Sequence, residues 1–247
     1  MSGAEVYTDA DDRTRYLIDG RPISSVTHTL RCVGYTEPFD SRMLIYAERG
    51  RMIHRALELY DKKQLMMDEL DPSLAGAIHG YQMFMDDTGF IPLYLDHPLV
   101  SERWRFGGRV DRIGFIPPHT ISIVDFKSAT RARRLGRVTG LQTAGYEILA
   151  RDVLFDEPAF DAVMIGAGGY AFAQGKGPYL VERFGLSLDI DGNYKLTPFR
   201  EPMDVLRFRE ALNVCHCKGA LRNEIRYHSY DDADRPDDLG EGFEPAA

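Results

Sequence analysis

The sequence predicts an α/β domain with a mixed central sheet flanked by helices. Helical apolar spacing and strand-like alternation succeed one another in the order helices, three strands, helix, two strands, helix. With 247 residues, 44% hydrophobic and 28% charged, the chain can bury one substantial core. Residues 109–127 read as a β-hairpin whose second arm alternates Ile121, Ile123, Asp125 and Lys127 on one face with Ser122, Val124 and Phe126 on the other.

Residues 1–20 are polar and read as a loosely held arm or edge. Ile23 to Leu30 opens a short helix through a serine cap at Ser24-Ser25. Ser41 to Met66 has helical spacing, with Ile53, Leu57 and Tyr60 on one face. Ser73 to Asp87 is a second long helix, stopped near Gly89. The sheet is expected to begin around Leu99, just past Pro98, and to include the hairpin, which turns at Pro117-Pro118. Val138 to Leu154 reads as a helix with Leu141 and Ile148 on its core face. Strands at Ala162–Ile165 and Tyr179–Phe184 follow, with Gly166, Gly168 and Gly169 between them. Pro202 to Asn223 closes the fold. Residues 1–228 are thus expected to form one domain, with a helical N-terminal part over 23–90, a sheet core over 99–184 and a closing helix over 202–223. Residues 229–247 are expected to be a disordered acidic tail.

The net charge of −8 is unevenly placed. Residues 229–247 carry seven acids against Arg235, net −6, so the body is near neutral at net −2. Within that body Arg131, Arg133, Arg134 and Arg137 follow Lys127 directly, where they can neutralise a phosphate backbone. No run has the length of a membrane span and no apolar leader opens the sequence, so the expected setting is cytoplasmic. Three cysteines, Cys32, Cys215 and Cys217, form no disulfide framework.

The strand period points Asp125 and Lys127 to the same side, and cross-strand pairing can bring Asp111 alongside Asp125. Two hard oxygen ligands and a cation at one end of a sheet suit a magnesium-dependent phosphodiester-cleaving site. An exposed charged hairpin face is the plainer alternative. Ile121 and Ile123 weigh against it, because they run that face from an apolar interior out to the charges. Glu102, on the strand ahead of the hairpin, is a reserve ligand.

Four elements, in order, then resemble the RecB-like exonuclease branch of the PD-(D/E)XK nuclease superfamily. They are Gly50-x-x-x-His54, Gly108-Arg109-Val110-Asp111, Asp125-Phe126-Lys127 and Gln142-x-x-x-Tyr146, within residues 24–184. The resemblance implies a restriction-endonuclease-like core and a metal-dependent DNA exonuclease that works from DNA ends in recombination, repair or replication-end processing. It implies Asp111, Asp125 and Lys127 as catalytic residues. The metal, Mg2+ with Mn2+ as the second choice, would be held by His54, Asp111, Asp125 and the carbonyl of Phe126. Gln142 and Tyr146 would contact DNA together with the arginines. The compact, motorless chain looks most like phage or prophage members, which implies a bacterial or phage-infected cell and a single-strand annealing or recombinase protein as partner. A structure-specific endonuclease and a catalytically silent DNA-binding subunit are the alternatives. Some relatives hold an iron–sulfur cluster on four cysteines; with three, none is expected here.

Overall fold

The computed structural model describes residues 3–10, 14–36, 44–117, 120–155, 159–160, 162–163 and 180–231. The first strands are β1 (Ala4–Thr8), β2 (Thr14–Ile18) and β3 (Arg21–Pro22), which pair antiparallel into a small sheet. The N-terminal arm is therefore ordered, because Tyr16 and Ile18 point inward and are buried. A two-residue β4 (Ser24–Ser25) leads into α1 (Val26–Cys32), where Ser25 Oγ accepts a hydrogen bond from the His28 N–H at 3.1 Å.

Two long helices follow, α2 (Leu44–Asp61) and α3 (Pro72–Thr88). The expected start of α2 at Ser41 lies outside the described residues, and the helix ends five residues before Met66. Asp71 caps α3 through the Ser73 N–H at 2.8 Å. Gly89 ends it in the left-handed region at φ 64°, a backbone conformation that glycine takes without steric cost.

The main sheet contains β5 (Ile91–Ser101), β6 (Phe106–Ile116), β7 (Thr120–Ser128), β8 (Val181–Leu188) and β9 (Tyr194–Pro198). It therefore begins eight residues earlier than Leu99. Pro92 and Pro98 are tolerated because, among the described residues, β5 pairs only with β6 and its other edge carries no ladder to break. The helix α4 (Arg137–Val153) leads from β7 toward β8, which runs parallel to β7, so the sheet is mixed. The strand expected at Ala162–Ile165 is corrected: Ala162 and Val163 are helical, and positions 164–179 lie outside the described residues. The second strand of this region is β9, which follows β8 through a turn. The last helix, α5 (Met203–Asp231), runs beyond Asn223 into the first residues of the acidic segment; positions 232–247 lie outside the described residues.

Helices cover both faces of the sheet. On one face Ile113, Ile121 and Ile123 meet Leu141 and Leu149 of α4 and Phe208 of α5. On the other, Val124, Phe126 and Leu186 meet Ile53 and Leu57 of α2 and Tyr81 and Phe84 of α3. The alternation read along β7 is therefore the alternation between two cores, and its charged end emerges where the helices leave room. Among the described residues no helix is long and apolar enough to cross a membrane.

Candidate active site

The site is made where the sheet opens. One edge of β6 pairs with β5 at residues 106–110 and 112–115; the other pairs with β4 at residues 106–107 and with β7 at residues 112–116. Among the described residues, positions 108–111 have no strand partner on that second edge, and they are the Gly-Arg-Val-Asp motif. Buried backbone groups freed from a ladder need other partners. Asp111 Oδ2 accepts from the Phe126 N–H at 2.7 Å, and Arg112 Nη1 donates to the Asp111 carbonyl at 2.5 Å. Asp111 thus fills the gap with its side chain, one position beyond the last ladder pair, Arg112 with Val124.

Gly108 explains why the strand here carries no side chain. A Cβ at that position would stand 2.9 Å from both Leu149 Cδ1 and Val26 Cγ2, and 3.1 Å from Tyr146 Cε1. Tyr146 itself is buried, at 4% exposure, and its hydroxyl accepts from Gln142 Nε2 at 2.9 Å. The Tyr146 ring is part of the core, and Gln142, half-buried one turn earlier, is the more accessible of the two residues expected at the DNA. Burial, reinforced by Asp125 and Asp111, holds the Tyr146 hydroxyl well above the ordinary tyrosine range.

Asp125 is 1% exposed and Asp111 7%. Each carboxylate has its own cationic partner. His54 Nδ1 lies 3.3 Å from Asp111 Oδ1, and Lys127 Nζ lies 2.5 Å from Asp125 Oδ2. Burial pushes Asp125 up to about 6, with the charge of Asp111 adding and that of Lys127 opposing. For Asp111 burial works the same way, but His54 and the Phe126 N–H outweigh it and hold the carboxyl below the usual range. Burial disfavours the charged forms of His54 and Lys127, yet Asp111 and Asp125 raise both.

The expected ligands therefore meet in pairs. Among the described residues no three His, Cys, Asp or Glu side chains converge into a ready ligand cluster. The donor set nevertheless fits a divalent cation. Asp125 Oδ2 is buried without a hydrogen bond of proper geometry, so its negative charge is met by the nearby charge of Lys127, with His54 contributing from farther off. Hard oxygens of two buried carboxylates beside an imidazole are donors that Mg2+ or Mn2+ takes. Both backbone groups of a strand residue face the same neighbour, so the Phe126 carbonyl is turned toward the same gap as its N–H.

Asp111, His54 and Lys127 line an open cleft of about 1440 Å³, together with Gly50, Asp96 and Arg109. Glu102, the reserve ligand, is not among the residues that line this cleft. It is exposed in the turn after β5, six residues along the chain from Asp96, the β5 acid that does line the cleft. Asp96 has a positive φ of 45° and pairs with Arg109 at 2.9 Å. The reading of Pro98 as the start of the sheet hid it. Sequence reasoning also missed Arg112, which is 1% exposed and joins Asp61 Oδ2 at 2.6 Å; Tyr81 donates to the same carboxylate at 3.1 Å. The available signal was the helical interval of seven residues from His54 to Asp61, two turns along α2.

Arg131, Arg133, Arg134 and Arg137 are all exposed on the segment from β7 to the first residue of α4. Asp189 pins that segment by accepting from the Ala132 N–H at 3.0 Å. Cys215 is buried, with its sulfur 3.4 Å from Ser24 Oγ, while Cys217 is exposed.

No protein-family model matches the chain, and no curated protein matches it. Among solved structures, a putative exonuclease from Eubacterium rectale is similar at 12% identity and a TM-score of 0.37, over 79% of this chain and 75% of that one. An alkaline exonuclease from Laribacter hongkongensis is similar at 11% identity and a TM-score of 0.33, over 85% of this chain and 93% of that one. The same enzyme in complex with dAMP gives 12% identity and a TM-score of 0.34 at the same coverage. These are distant likenesses.

Proposed function

We propose that the chain is a divalent-metal-dependent deoxyribonuclease of the PD-(D/E)XK type, RecB-like branch, that works as an exonuclease from DNA ends. One observation carries the reading: two buried carboxylates, Asp111 and Asp125, stand with Lys127 and His54 at the gap in the sheet beside an open cleft. Buried acids with perturbed protonation beside a cleft mark a site built for chemistry more than for stability.

Asp111 and Asp125 would hold the ion, with His54 and the Phe126 carbonyl completing its set; Mg2+ is the first choice and Mn2+ the second. When bound, the ion acidifies water and offsets charge on the phosphate. Lys127, kept protonated by its acidic neighbours, stabilises the negative charge that grows on the phosphate oxygens and orients the attacking water. The water oxygen forms the new P–O bond, one bridging P–O bond breaks, and the departing oxygen leaves with a proton. Gln142 contacts the strand from the α4 side, and the four exposed arginines neutralise its backbone. The biological settings that suit such an activity are recombination, repair and the processing of replication ends, with a single-strand annealing or recombinase protein as partner.

The test is digestion of end-labelled linear DNA, single- and double-stranded, beside a closed circle, with Mg2+, Mn2+ or chelator. Metal-dependent loss of linear DNA alone, abolished in Asp125→Ala and Lys127→Ala, is the expected result. Cutting of the circle would make the enzyme an endonuclease. Binding without cleavage under either metal would reduce it to a DNA-binding subunit.

A further inference from the structure

Three openings on this surface join end to end. The active-site cleft shares Lys127 and Ser128 with a second opening of about 420 Å³, whose charged lining among the described residues is Lys127, Arg133 and Arg134 with no acid. The second shares Arg134 and Leu135 with a third of about 630 Å³, which reaches the start of α5. That third opening is lined by Arg134, Arg137, Arg200 and Arg207 against two acids, Glu201 and Asp204.

The acids cancel part of this charge and leave an excess of cations along the lining. Asp204 is 3% exposed and already paired with Arg207 Nη1 at 3.1 Å. Glu201 accepts from the Met203 N–H at 3.1 Å, at the start of α5. Arg200 is 75% exposed, and its ion-pair contact, Glu182, is at 3.5 Å, a loose pair in water. Phe199, half-buried, lies in the same lining and offers an aromatic edge beside the guanidinium groups.

From this continuity we infer that the trough from Lys127 past Arg134 to Arg200 and Arg207 is the track along which the phosphate backbone of a nucleic-acid strand lies outside the active site. The inference rests on the nuclease reading for its direction, since the trough starts at the proposed reacting centre. Its shape selects the ligand class. Cations strung along a groove match a polymer with regularly spaced negative charges, whereas a single phosphate needs donors converging on one point. A basic groove with an aromatic edge is how proteins hold a strand without reading its sequence. Arg200 and Arg207 lie more than sixty residues from the Arg131–Arg137 run in sequence, and the fold brings the two sets together.

The test separates binding from cleavage. Affinity for a labelled single-stranded oligonucleotide is measured in chelator across a salt titration, for the native chain, Arg200→Ser, the double variant Arg137→Ser/Arg200→Ser, and Lys195→Ser. Lys195 is an exposed base on β9 outside the trough lining and reports the effect of a lost charge alone. Each lost phosphate contact should flatten the dependence of log K on log salt by about 0.7 for a single strand. Arg200→Ser should therefore lose about one such step and the double variant about two, with the same loss on unrelated sequences and no change in Lys195→Ser. Slopes equal to that of the native chain in both arginine variants would overturn the track. If the native chain cleaves DNA while those slopes stay equal, the track fails and the nuclease reading stands. If the slopes fall as expected but no metal supports cleavage, the nuclease reading fails and the track stands. A native chain that binds no strand overturns both.

Discussion

Arg112 and Asp61 join the middle of β6 to the last turn of α2 by a 2.6 Å ion pair in which neither side chain is more than 1% exposed. The pair does two things for the site. It fixes the helix that carries His54 against the strand that carries Asp111, and it aims Arg112 Nη1 at the carbonyl of Asp111, which the open ladder has left without a strand partner. The guanidinium also lies 5.1 Å from the ring centroid of Phe126.

Breaking this pair from one side should therefore be severe. Arg112→Met leaves Asp61 buried without its cation, a loss of about 3–5 kcal/mol by urea denaturation. Asp61→Leu/Arg112→Met together should recover most of that stability, because apolar groups can replace a buried pair. Metal affinity should stay lower by about 10–100-fold in the double variant, as expected when a ligand loses its supporting donor. Calorimetric titration with Mn2+ checks it; native affinity in the refolded double variant would mean that the pair only holds the fold.

Asp125 and Lys127 should separate by what they lose. Asp125→Asn replaces a buried charge with a neutral isostere, so the metal-free chain should melt no lower than native while Mn2+ binding falls. Lys127→Ala should keep the ion but lower the cleavage rate by about 10²–10³-fold, the usual cost of removing one group that stabilises transition-state charge. Equal loss of metal binding in both variants would remove the division of roles.

Tyr146→Phe should be mild for the fold. The ring stays in its core position and one buried hydroxyl bond to Gln142 is lost, costing about 0.5–1.5 kcal/mol. Gln142 then loses the partner that orients it. The effect should appear in KM for DNA with kcat little changed, and a fall in kcat alone would place the phenol closer to the chemistry.

Asp189 should govern part of the acid stability. Burial opposes its charge, but the N–H groups of Ala132 and Asn193, with further bonds from the Asn193 side chain and the Asp191 N–H, outweigh it and hold its carboxyl below the ordinary range. A carboxyl depressed on folding stabilises the native state above its unfolded pKa of about 3.9, and that contribution is lost as pH falls through the folded value. Asp189→Ala should cost about 1–3 kcal/mol at neutral pH, and the gap between variant and native should close in strong acid. Denaturation curves across pH measure this directly. A gap that persists unchanged in acid would show that the side chain acts by packing and not by charge.

The hairpin is readable because its chemistry is local: a strand period of two assigns Ile121, Ile123, Asp125 and Lys127 to one face, and the two arms pair antiparallel from Ile116 with Thr120 to Arg112 with Val124. The same locality misled at β5, where Pro92 and Pro98 look like breakers unless it is known that the strand lies at an edge. It misled again at Arg112. A charged residue in an amphipathic strand reads as solvent-facing, and nothing within a few positions shows that α2 covers it with Asp61. Asp96, which lines the cleft where Glu102 does not, escapes a sequence reading for the same reason, since its place depends on where β5 begins.

Taken by itself, the sequence determined the α/β order, the helical caps at Ser25 and Gly89, the common face of Asp125 and Lys127, and the position of the arginine run. Each depends on dihedral preference or side-chain period over a few residues. Tertiary structure alone decided that, among the described residues, positions 108–111 of β6 have no strand partner on the edge toward β7, that Asp111 fills the gap with its side chain, and that Tyr146 is core. It also brought Arg200 and Arg207 to the basic segment after β7. Those outcomes depend on which backbone groups are left without a ladder partner and which charges are excluded from water, and both are set by elements distant in the chain that meet only when the two faces of the sheet are covered.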